Sequence, residues 1–136
     1  MDFLINNIAL ILLALVAGLM LLWPSLNRIL SGVRDVSVVE ATQMINHRDA
    51  VILDVREDSE YRSGHVPRSR HIPLSQLNRR LSELEKLKGH PVVVICRTGS
   101  RSGRACAALR KNGLEQVYNL AGGITAWEQA NMPMER

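Results

Sequence analysis

From Phe3 to Trp23 the chain runs 21 residues without a charged side chain. As a helix this stretch would rise about 30 Å, close to the hydrocarbon thickness of a bilayer. Asn6 and Asn7 are its strongly polar side chains and sit near one end, within reach of an interface. Trp23 suits the opposite interface, and Pro24 is expected to end the helix. A cleaved signal would want a basic start, a shorter core and small residues at its end. None of these is present, so residues 1–23 are read as one transmembrane helix. Arg28 and Arg34 follow it and nothing basic precedes it, which by the positive-inside rule places the rest in the cytoplasm, with the anchor in the inner (cytoplasmic) membrane. Ala14 and Gly18 form a small-xxx-small pair that permits close helix packing, a frequent and weak signal.

What remains is one ordinary domain, with residues 24–35 read as a linker and 36–136 as the domain. All 17 Lys and Arg residues lie at or after Arg28. The net charge of +4 is modest, aromatics are few and there is no long basic run, so no nucleic-acid surface is expected. The two cysteines, Cys96 and Cys106, make neither a disulfide framework nor a metal pattern. A free, reactive thiol suits a reducing compartment.

Strands and helices alternate along the domain. Ser37 to Glu40 fits a capping box, predicting a helix to about Asn46. Residues 51–55 read as a buried strand, residues 59–62 as a brief helix, and His71-Ile72 as a short strand. Leucines 74, 77, 81, 84 and 87 recur at threes and fours, predicting a helix over 75–88. A strand over 91–95 leads to Cys96. A helix over 102–112 stops at Gly113, a strand covers 116–118, and a final helix covers 124–130. Short unbroken apolar strands imply an α/β fold, a parallel sheet with helices on both faces. Ligands of such sheets bind beyond the carboxyl ends of the strands, where Cys96 falls.

The stretch VVVICRTGSRSGR at 92–104 carries the chemistry. Small residues after Cys96 let backbone N–H groups turn inward, the next helix adds its partial positive charge, and Arg97 and Arg101 add full ones. The nearest anion is the Cys96 thiolate, so the loop makes a reactive sulfur and a pocket for an anionic substrate or product. A buried inert cysteine would not need this loop. Cysteine phosphatases place five residues between Cys and Arg. Here four intervene before Arg101, a tighter ring that suits one added sulfur atom, a persulfide.

Over about residues 36–130 the chain resembles single-domain rhodaneses, which are sulfurtransferases. Four motifs carry the likeness: LDVRE at 53–57, GHVPRSRHIPL at 64–74, VVVICRTGSRS at 92–102 and NLAGGITAW at 119–127. The resemblance implies that Cys96 is the nucleophile, that Arg97, Thr98, Gly99, Ser100 and Arg101 hold the persulfide, and that Asp54 and Arg56 support the site. It implies no metal and no organic cofactor. One departure is visible: the family usually has Gly-Ala after the GHVP turn, where Arg68-Ser69 stand here.

His65 is read as a turn residue, since His and Pro there fix a turn through hydrogen bonds and a preset φ. His47, His71 and His90 lack ligand spacing. Trp127 is read as core, and Gly122-Gly123 as serving a turn. No Gly-rich loop followed by Lys-Ser/Thr occurs, so no nucleotide site is indicated. The expected activity is movement of a sulfane sulfur from thiosulfate or a protein persulfide, through Cys96, to a thiol or cyanide. The expected partners are that small anion or persulfide, the membrane at residues 3–23, and a membrane protein. The rival reading is an interaction module whose domain mainly binds such a partner.

Overall fold

The computed structural model describes residues 1–136, the side chain of Arg28 excepted. The chain divides into two compact units, residues 1–32 and 33–136.

The first unit is a short helix α1 (Asp2–Asn6) and a 24-residue helix α2 (Ile8–Ser31). The Asn7 side chain turns back to donate to the Phe3 carbonyl at 2.8 Å. By length and composition α2 is able to cross a membrane. Pro24 does not end it, contrary to the sequence expectation. A proline removes one backbone bond, but the bonds on either side hold where an apolar segment offers no other partner. The stop is Gly32, in the left-handed region at φ 69°, with its N–H on the Ile29 carbonyl at 3.2 Å.

The second unit is a five-stranded, wholly parallel sheet in the order β1-β5-β4-β2-β3. Its strands are β1 (Arg34–Val36), β2 (Val51–Asp54), β3 (Arg70–His71), β4 (Val92–Ile95) and β5 (Val117–Leu120). Helices α3 (Val38–Arg48), α4 (Asp58–Ser63), α5 (Ser100–Lys111) and α6 (Gly123–Gln129) connect or follow them. The expected linker 24–35 is therefore not a separate segment. Its first part continues α2, and Arg34 and Asp35 belong to β1. Three residues with only Val36 buried carry no alternation to read, and pairing with β5 is what makes them a strand.

Residues 75–88, expected as one α-helix, are covered by two 3-10 helices, Leu74–Arg79 and Leu81–Leu87. Three of the four leucine spacings are three residues, the repeat that lines side chains up in a 3-10 helix. Leu77, Leu84 and Leu87 are thereby buried.

Two apolar clusters cover the sheet. Val92, Val94 and Cys96 join one with Leu77, Leu84 and Leu109, and Val93 and Ile95 join the other with Ala41, Met44 and Trp127. Successive residues of β4 point to opposite faces, and both are sealed. Each such Val or Ile contributes about 1.5–3 kcal/mol by leaving water. The capping box forms: the Glu40 amide donates to Ser37 Oγ at 3.1 Å, and the Ser37 amide to Glu40 Oε1 at 3.4 Å. Trp127 is core, with its indole N–H on the Pro133 carbonyl at 2.9 Å.

Candidate active site

Cys96 follows β4, in the middle of the sheet, where its neighbours β5 and β2 also end. Its side chain is 1% exposed. The Gly99 amide donates to Sγ at 3.1 Å, and the Ser102 hydroxyl lies 3.3 Å from it. Gly99 adopts φ 109°, which turns the loop back toward the cysteine. Helix α5 begins at Ser100, two residues earlier than the sequence suggested. The first amides of a helix have no acceptor within it, so the second half of the loop is a row of N–H donors.

Burial is the largest single influence on the Cys96 thiol and opposes ionisation. The Ser102 hydroxyl and the amides of Ser102, Gly99 and Thr98 together outweigh it and hold the thiol below its ordinary range. Cys106 has the opposite fate. It is fully buried on α5, and burial, followed by the charges of Asp35 and Cys96, pushes it up to about 12. The surroundings of Cys96 favour a thiolate and those of Cys106 a packed, neutral thiol.

The loop is held from behind by the Gly122-Gly123 turn. The Ile124 amide donates to the Cys96 carbonyl at 2.7 Å, and the Thr125 amide and hydroxyl to the Arg97 carbonyl at 3.2 and 3.1 Å. These bonds draw the carbonyls outward and leave the amides facing the sulfur. Gly123 lies so close that a Cβ there would fall 2.4 Å from the Cys96 carbonyl oxygen.

The remaining expected site residues divide. Arg97, Thr98 and Ser100 are exposed along the loop. Arg101, expected to lend its full charge to the loop, makes a two-pronged bond to Glu60 on α4, at 2.7 and 2.9 Å, and its charge still couples to Cys96. That bond is the main reason the Glu60 carboxyl is held down at about 2. Asp54 and Arg56 form a buried pair, with Arg56 Nη2 on Asp54 Oδ2 at 2.8 Å and also on the Gly64 carbonyl at 2.7 Å. The pair ties the end of β2 to the end of α4. Asp54 lies opposite Ile95 in the sheet, next to Cys96, and Arg56 adds to the field that keeps Glu60 ionised.

Sequence reasoning missed Glu60, Ser102, Asn119 and Asp35. The Ser102 hydroxyl donates to Asn119 Oδ1, and Asn119 Nδ2 donates to Asp35 Oδ1 at 3.0 Å and the Gly99 carbonyl at 3.1 Å. Ser102, Asn119, Asp54 and Arg56 are the buried polar side chains among the described residues, and all lie in three of the quoted motifs, those at 53–57, 92–102 and 119–127. Polar residues inside strand and helix segments that otherwise read as core were the available signal.

His65 serves its turn, as the sequence suggested: Nδ1 meets the Tyr61 carbonyl at 2.9 Å, and the ring stacks on Tyr61 at 3.9 Å, while His71 stacks on that same ring at 4.2 Å. Arg68, in place of the usual glycine, adopts φ 63°, a conformation glycine takes without strain. Among the described residues no group of three His, Cys, Asp or Glu side chains is placed to hold a metal.

The Rhodanese-like domain family matches residues 37–130. The chain belongs to the rhodanese-like family. The thiosulfate sulfurtransferase GlpE of Pseudoalteromonas translucida is 34% identical over 97 residues, covering 71% of this chain and 90% of GlpE. The uncharacterized protein YqhL of Bacillus subtilis is 47% identical over 81 residues, covering 60% of this chain and 63% of YqhL. Among solved structures, a rhodanese-related protein from Thermoplasma volcanium matches with TM-score 0.68 and 30% identity, over 75% of this chain and 97% of that one. The rhodanese-like family accounts for the parallel sheet, and its sulfurtransferase relatives set the chemical class in which the Cys96 loop is to be understood.

Proposed function

We propose that the protein is a membrane-anchored sulfurtransferase that carries a sulfane sulfur on Cys96. The observation that carries this reading is the buried Sγ under the Gly99 amide, with its pKa drawn down by loop donors. The Cys96 thiolate attacks the outer sulfur of thiosulfate or of a persulfide donor. The S–S bond of the donor breaks, and sulfite or a thiolate leaves with the electron pair. Cys96 then holds a persulfide whose negative outer sulfur is stabilised by the amides of residues 98–102 and the field of Arg97. Arg101 contributes as an anchor of the loop through Glu60. A thiol or cyanide takes the outer sulfur and regenerates the thiolate. No step requires a metal or an organic cofactor.

Incubation with thiosulfate followed by mass spectrometry tests this. The wild-type Cys96 peptide should gain one sulfur, and Cys96→Ser should gain none. An unmodified wild-type peptide would overturn the reading.

The anchor is the apolar run 3–23, which the break at Asn7 divides between α1 and α2, and Arg28 and Arg34 support a cytoplasm-facing domain. Arg28 lies outside the described side chains. Protease added to intact cells should leave the domain uncut, and its digestion would reverse the orientation. The interaction-module reading is favoured by the exposed apolar surface of α2 alone. It predicts that a cellular phenotype survives Cys96→Ser and is lost when residues 1–32 are removed.

A further inference from the structure

We propose that the Ser102 hydroxyl is a two-position donor, resting on Asn119 while Cys96 carries the extra sulfur and turning to Sγ as that sulfur is given up. This rests on the persulfide reading of Cys96.

The geometry that points to it is a chain of four groups. Ser102 has one hydroxyl proton and two acceptors within reach, Cys96 Sγ at 3.3 Å and Asn119 Oδ1. The Asn119 amide is fixed in orientation. Its Nδ2 donates to the Asp35 carboxylate at 3.0 Å and the Gly99 carbonyl at 3.1 Å, both of which only accept. Oδ1 therefore faces Ser102 as an acceptor and cannot trade places with the nitrogen. Ser102 is 0% exposed and Asn119 1%, so no bulk water competes for the proton.

The state of the sulfur decides which acceptor wins. A thiolate is a charged acceptor, and a hydrogen bond to it is roughly twice as strong as a neutral one. Ser102 then donates to Sγ. In the persulfide, Sγ is a neutral, two-bonded sulfur, a weak acceptor, and the charge has moved to the outer atom. The hydroxyl then returns to Asn119. When an acceptor thiolate attacks the outer sulfur, the S–S bond breaks and its electron pair stays on Sγ. The hydroxyl turns back as that charge develops. No proton is gained or lost in the step. Ser102 is thus the donor to the leaving group, and Asn119 is a positioning residue that holds the hydroxyl in reserve. The other titratable or charged groups whose fields couple to Cys96 are Arg101, held by Glu60, and the buried Cys106 thiol.

The test uses the full chain and separates loading from unloading. Thiolate absorbance, taken as the difference from Cys96→Ser, gives the Cys96 titration midpoint. Ser102→Ala should raise it by roughly one to two pH units, the worth of one hydrogen bond to a charge. At a pH above both midpoints, Ser102→Ala should unload to cyanide about ten-fold more slowly, while loading from thiosulfate is not slowed, because the attacking thiolate has one hydrogen bond fewer to give up. General damage to the loop would slow both. Ser102→Thr should restore unloading. Asn119→Asp gives a second measurement: it should raise the midpoint, and by less when Ser102→Ala is already present. A wild-type midpoint in Ser102→Ala, equal slowing of both half-reactions, or an Asn119→Asp shift that ignores Ser102 would overturn the proposal. If the wild-type protein takes up no sulfur, the functional reading fails by itself. The two titrations still decide whether Ser102 donates to Sγ.

Discussion

Gly123→Ala should uncouple the fold from the chemistry, because it strikes a point where the α6 turn closely approaches the cysteine backbone. Gly123 has φ 56°, a left-handed conformation that costs an L-residue about 1–2 kcal/mol. The new Cβ would also lie 2.4 Å from the Cys96 carbonyl oxygen and 2.6 Å from that of Arg97, against an ordinary contact that starts at 3.4 Å. The turn must therefore recede by about 1 Å. That stretches the bonds from the Ile124 and Thr125 amides, each worth about 0.5–1.5 kcal/mol. The expected loss of stability is about 2–5 kcal/mol. A displacement of this size at reacting atoms costs on the order of 10²-fold in rate. Gly89→Ala is the control. It shares a positive φ, at 94°, but a Cβ there meets nothing within 4 Å, so it isolates the backbone term. Denaturation of the full chain in mild detergent, followed by Trp127 fluorescence in a Trp23→Phe background, gives the stability difference. Thiosulfate:cyanide transfer gives the rate. If Gly123→Ala matched Gly89→Ala in both, the close approach would not be what shapes the loop.

Five further outcomes are expected. Cys106→Ala should keep most of the sulfur transfer that Cys96→Ser abolishes, and equal loss in both would show the two thiols working as a pair. Because the folded Cys106 thiol is raised to about 12 while the unfolded one ionises near its ordinary 9, stability should fall as pH climbs between these values. The fall should be shallower in Cys106→Ala, and identical pH profiles would contradict it. Glu60 is depressed from 4.5 to about 2, so the stability it adds is present above 4.5 and lost as pH drops toward 2. With both partners partly exposed, Glu60→Gln should cost about 1 kcal/mol at neutral pH and flatten that acid limb in a urea titration. Arg68→Gly should stabilise the protein by about 0.5 kcal/mol, the left-handed strain relieved less the freedom glycine gains when unfolded, with transfer unchanged. Finally, the wild type should show no measurable aryl-phosphate hydrolysis, and a Gly inserted after Gly99 should cut sulfur transfer by about 10²-fold, since the donors no longer converge. Phosphate turnover comparable to sulfur transfer would refute the argument from loop size.

The sequence by itself determined whatever depends on near neighbours along the chain. The apolar run in α2, the capping box at Ser37, the buried β4 and the small-residue loop after Cys96 are set by local periodicity and local donors, and each was legible. Pro24 and the leucines of 74–87 show the limit of that reading, since neighbouring bonds carried a helix through a proline and a spacing of threes chose a 3-10 helix. Only the tertiary structure decided what surrounds the sulfur. Glu60 reaches Arg101 across 41 residues, and Asn119 reaches Asp35 across 84. Both depend on the strand order β1-β5-β4-β2-β3, which puts β5 and β2 on either side of the cysteine. The edge strand β1, invisible in three polar-rich residues, is what brings Asp35 to Asn119. A buried polar group must find a partner wherever the fold supplies one. Composition shows that such groups exist, and the packing of the sheet chooses the partners: it paired Arg101 with Glu60 and aimed Ser102 at Cys96.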